Sequence, residues 1–67
     1  MSKISRVESA LQSLLNGEIS NAEFTIALYD IDNMLFKCSS VCNAIWDGNT
    51  SSENCFILYK EYMEFLE

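Results

Sequence analysis

Histidine and proline are absent from this chain, glycine occurs twice, and only four residues are basic. Each shortage excludes something. Without histidine the chain lacks the commonest general base and metal ligand, so a serine or cysteine nucleophile would depend on a lysine or on a carboxylate with a shifted pKa. No glycine-rich stretch offers a phosphate loop. Nothing in the order of residues forms a catalytic constellation, and a non-enzymatic protein that needs no cofactor is expected.

Lys3, Arg6, Lys37 and Lys60 stand against ten acidic residues, which gives a formal charge of −6. Affinity for phosphate backbones comes largely from Lys and Arg releasing condensed counterions, so direct nucleic-acid binding is not expected. From Val7 to Phe36 there are Glu8, Glu18, Glu23, Asp30 and Asp32 and no basic residue, and that segment repels DNA, RNA and anionic lipid alike. Its natural partner is another protein with a basic or mixed surface. No window of about 18 apolar residues exists to span a bilayer. The segment Met1 to Asn16 alternates polar and apolar residues where an export signal needs an unbroken apolar core, so a cytoplasmic protein is expected.

Three cysteines, Cys38, Cys42 and Cys55, cannot all pair within one chain, and reduced thiols acting as small buried hydrophobes are expected. A Cys42–Cys55 bridge is the main rival. Cys38-x3-Cys42 would share a helix face, yet a structural zinc site takes four ligands and neither a histidine nor a fourth cysteine is present. Asp47-Gly-Asn-Thr-Ser-Ser-Glu53 lacks the alternating acidic ligands of a calcium loop and reads as a turn followed by a helix cap.

What the chain has is apolar surface. At 49% apolar and 21% charged, its 67 residues are too hydrophobic to stay disordered and form a single domain over 1–67. Gly17 and Gly48 divide it into three segments of helical period. The first, over about 3–16, carries Ile4, Val7, Leu11, Leu14 and Leu15 on one stripe. The second opens with Ser20-Asn-Ala-Glu23, a capping box, with Ile19 and Phe24 placed as a hydrophobic staple. From Phe24 the sequence Ala27, Leu28, Ile31, Met34, Leu35, Cys38, Val41, Cys42 and Ile45 keeps period to Asp47-Gly48. It predicts a helix over about 21–46, roughly 39 Å long at 1.5 Å per residue. Thr50-Ser-Ser-Glu53 offers a second capping box for a helix over about 51–66, with Cys55, Leu58, Tyr59, Tyr62, Phe65 and Leu66 inward. The expected fold is all-α, a small three-helix bundle with a long central helix. Ser39-Ser40 is its one weak point, where a break would leave four short helices.

With that stripe assigned, Ile26, Tyr29 and Phe36 are left over on the far side of the second helix, within about 80° of one another. Such a surplus is either a second packing face or a docking patch. Trp46, at the end of the same helix, is either a core anchor whose N–H reaches a turn carbonyl or an interface hot spot. The expected function is a protein-binding regulator or inhibitor that docks an aromatic and acidic helix face. Ile26, Tyr29, Phe36 and Trp46 would be its anchors, and Glu23, Asp30 and Asp32 its charged surround. Two alternatives are an acidic mimic of nucleic acid and a self-associating subunit, a homodimer joined through the long helix. In size, acidity and lack of chemistry the chain resembles, in type only, the small accessory regulators and inhibitors that phages and plasmids encode.

Overall fold

A computed structural model describes all of residues 1–67. The fold is all-α, and five helices account for it: α1 Lys3–Leu15, α2 Asn21–Ile31, α3 Asn33–Cys38, α4 Cys42–Trp46 and α5 Ser52–Leu66. None is long and apolar enough to cross a membrane.

The outer helices follow their local signals. Ser2 caps α1 by accepting a hydrogen bond from the Ser5 N–H, and Gly17 leaves the helix at φ 75°, a left-handed conformation that glycine adopts without a Cβ clash. Gly48 does the same after α4 at φ 96°. The Ser20–Glu23 capping box is complete: the Ser20 hydroxyl accepts from the Glu23 N–H at 3.1 Å, and the Glu23 carboxylate accepts from the Ser20 N–H at 2.8 Å. The expected box at Thr50 is displaced by one residue. Ser51 caps α5 instead, accepting from the Asn54 N–H at 3.1 Å, and Asn54 donates back to the Asn49 carbonyl at 3.0 Å.

The long central helix is not formed. Residues 21–46 are three helices, broken at Asp32 and again across Ser39–Val41. A straight rod of about 39 Å would overshoot a molecule whose longest dimension is 30 Å. Bending instead wraps α2, α3 and α4 around α5, which touches every other helix. Neighbouring residues of α5 hold both breaks. At the first, the Tyr62 hydroxyl sits 2.7 Å from the Leu28 carbonyl and 2.6 Å from that of Asp32. Asp32 is extended at φ −158° and ψ 96°, and its carboxylate caps α3 by accepting from the Leu35 N–H at 3.0 Å. At the second, the Glu61 carboxylate accepts from the Ser39 hydroxyl at 2.6 Å and from the Ser40 N–H at 3.3 Å.

The breaks change which residues face inward. Met34 is 65% exposed and Cys38 is exposed, although an unbroken helix would bury both, and Phe36 turns into the core at 3% exposure. The core is Val7, Phe24, Leu28, Ile31, Phe36, Val41, Ile45, Cys55, Leu58 and Tyr62. Ile57, outside the expected stripe of the last helix, is half-buried and packs against it, whereas Phe65, expected inside, is exposed. All three cysteines are free, and the break between Cys38 and Cys42 removes the shared helix face on which their pairing as ligands depended.

Candidate functional site

Three helices set the most apolar depression on the surface. α2 supplies Thr25, Ile26 and Tyr29, α3 supplies Phe36, and α4 supplies Ile45 and Trp46, enclosing an open groove of about 430 Å³. The rings are in contact. Tyr29 meets Phe36 edge-on, with centroids 5.3 Å apart and planes at 82°, and Trp46 leans on the other side of Tyr29 at 6.4 Å. Edge-to-face geometry at this range is favourable for aromatic quadrupoles. A smaller hollow of about 240 Å³ lies against the same three rings and adds Lys37, Cys42 and Asn43.

The expected anchors occupy this groove in different ways. Ile26 is 60% exposed and Trp46 is 72% exposed, so together they form its solvent edges. Tyr29 is half-buried between them. Phe36 is buried and forms floor rather than edge, because the break at Asp32 rotates α3 relative to α2. Trp46 is not the core anchor that a lone indole often is: its helix is only five residues long and ends at Asp47, leaving the ring on the rim. Thr25 and Ile45 were not marked by sequence as part of any site. Ile45 is legible only as core, and the Thr25 hydroxyl is spent on the Ala22 carbonyl at 2.7 Å.

The three carboxylates expected around the anchors do not line the groove. Glu23 lies one turn before Ile26 on the exposed face of α2, held below its ordinary pKa first by the Ser20 N–H and then by the Ser20 hydroxyl. Asp30 lies one turn after Ile26 and borders a depression shared with Arg6 and Ala27. Asp32 faces away, paired with Lys3 at 2.8 Å, and that ammonium together with the Leu35 N–H holds its carboxyl below the usual range.

A second hollow of about 400 Å³ opens between α1 and α5, where Leu15 is 70% exposed and Phe56 is 55% exposed. It is more polar. Asn21 and Ser52 line it and hydrogen-bond to each other at 3.4 Å, and Phe56 is already engaged by Tyr59 at 6.3 Å and by the Lys60 ammonium at 5.7 Å. No group of three or more Cys, Asp or Glu side chains is arranged to hold a metal ion. No protein-family model matches the chain, and no curated protein or solved structure is significantly similar to it.

Proposed function

We propose that this protein is a small non-enzymatic regulator or inhibitor that acts in the cytoplasm by docking its aromatic groove on a partner protein. The observation that carries the reading is Trp46, 72% exposed and tilted against Tyr29 at the edge of an apolar groove. Tryptophan and tyrosine are enriched among the few residues that supply most of an interface's binding energy. A ring left in water at the rim is surplus to a core that closes without it. Three free thiols suit a reducing compartment. The reading as a nucleic-acid mimic is less favoured, since Glu23, Asp32 and Glu61 spend carboxylate oxygens on caps and on the second helix break.

The test compares the immobilised full chain with Trp46→Ala and Ile26→Asp in one cell extract, after circular dichroism has shown equal helicity. Both residues are exposed, so neither change opens the core. A protein retained by the wild type and lost from both variants supports docking through the groove. A retention profile that neither substitution alters overturns it.

A further inference from the structure

Resting on that docking reading, we infer that the occupant of the aromatic groove is an amphipathic helix of the partner, flanked by Lys or Arg on the side that meets α2. The first reason is what the groove withholds. Its walls are helices, whose interior backbone groups bond to one another, and beside Thr25, which donates its hydroxyl to Ala22, the lining offers only the Tyr29 hydroxyl and the Trp46 indole N–H as polar groups. A segment that buried its own backbone here would find few partners for it, and unpaired buried peptide groups are costly. A helix satisfies its N–H and C=O groups internally and presents only side chains, inserting apolar residues at spacings of three and four into such a groove. The protein has no strand, so it has no sheet edge to which an extended ligand could add.

The second reason is charge. None of the four basic residues lines the larger groove: Lys3 is paired with Asp32, Arg6 borders the depression beside Asp30, Lys60 lies over Phe56, and Lys37 lines only the smaller hollow. Along α2, Glu23 and Asp30 stand one turn on either side of Ile26, and residues three and four apart are neighbours on a helix surface. At the opposite rim exposed Asp47 follows Trp46. These carboxylates lie outside the lining, beyond the Ile26 and Trp46 edges, so an apolar floor with acidic outer margins complements an apolar stripe flanked by cations, and the net charge of −6 steers the same ligand from a distance. A second copy of this chain carries the wrong charge for that rim.

The chain contains one tryptophan, so its emission reports the groove directly. The probes are two synthetic helices of about 14 residues with the same leucine stripe, one flanked by Lys and the other by Glu. The Lys-flanked peptide is expected to shift Trp46 emission to the blue and to saturate, with the Glu-flanked peptide at least about tenfold weaker, a gap of about 1.4 kcal/mol. That difference should shrink as salt shortens the Debye length from about 10 Å at 0.1 M to about 3 Å at 1 M. Ile26→Asp should weaken the Lys-flanked peptide although it makes the protein more acidic, which separates seating in the groove from diffuse attraction. Equal affinity for both peptides overturns the charge argument. Tighter binding by a basic proline-rich peptide overturns the helix argument, and an emission shift that instead follows protein concentration as light scattering shows a dimer makes the second copy the occupant. If extract proteins still depend on Trp46 while the Lys-flanked peptide leaves emission unchanged, the helix inference fails and docking stands. If neither depends on Trp46, both fail.

Discussion

Removing one oxygen tests how the chain is bent. Tyr62→Phe keeps the ring in the core, where Tyr62 is 1% exposed, and deletes the hydroxyl that lies between the Leu28 and Asp32 carbonyls at 2.7 and 2.6 Å. Neither carbonyl is orphaned by the change: Leu28 still accepts from the Asp32 N–H at 3.1 Å and Asp32 from the Phe36 N–H at 3.2 Å. The cost is therefore that of a lost hydrogen bond, about 1 kcal/mol, rather than the up to 3 kcal/mol of a stranded buried group. For a domain of this size that lowers the melting temperature by about 4–8 °C. Thermal melts at 222 nm and a urea titration with unchanged m-value are the assays. Native helicity should stay the same, because the Asp32 carboxylate continues to cap α3. A melting temperature equal to the wild type would show that the hydroxyl does not hold the joint. A gain of native helicity would show that it alone kept α2 and α3 apart.

The same hydroxyl makes stability fall in alkali: burial and the nearby Asp32 charge raise the Tyr62 pKa well above the ordinary 10.0. The unfolded chain then releases this proton first, so stability drops above about pH 10, and Tyr62→Phe should flatten that limb in urea midpoints taken against pH. In acid the sign reverses. Lys3 and the Leu35 N–H lower Asp32, and at Glu61 burial pushes the pKa up but the bonds from Ser39 and Ser40 more than offset it. Both contributions are present above the ordinary carboxyl values and should be lost as pH falls through the lowered ones, with Glu61→Gln giving a shallower acid limb in the same titration. Ser51→Ala should cost about 1 kcal/mol and Thr50→Ala almost nothing in chemical denaturation, since Ser51 provides the cap of α5. Leu58→Ala, at a fully buried position, should cost about 2–5 kcal/mol, much of the roughly 3–10 kcal/mol expected for a chain of this length, and leave the circular dichroism spectrum largely unfolded at 37 °C. A thiol-reactive dye should label exposed Cys38 at once and Cys55 only on unfolding, because Cys55 is buried and desolvation raises its pKa.

Local chemistry made much of this protein legible. The Ser20–Glu23 box, the stops at Gly17 and Gly48 and the buried positions Val7, Phe24, Leu28, Ile45, Cys55, Leu58 and Tyr62 follow from caps and from a period of 3.6, which act over a few residues. Periodicity carries no mark where a helix bends if the residues beyond the bend also fit the period. Asp32 was the overlooked signal: an Asp three residues before Leu35 is an N-cap as well as a charge. Ser39-Ser40, by contrast, was recognisable as a weak point, and the chain does break there.

The bends themselves were decided by residues far along the chain. Tyr62 reaches back to Leu28 and Asp32, and Glu61 to Ser39 and Ser40, contacts that exist only once α5 is docked inside the curve. They rotate Phe36 into the core and Met34 out of it. They also bring Ile26 and Trp46 to opposite edges of one groove. Sequence alone determined that the chain is helical, acidic and apolar on one side of each segment, because these properties are summed residue by residue. The groove was a decision of tertiary structure, because a concave surface is made by the angle between helices, and here partners about thirty positions away set that angle.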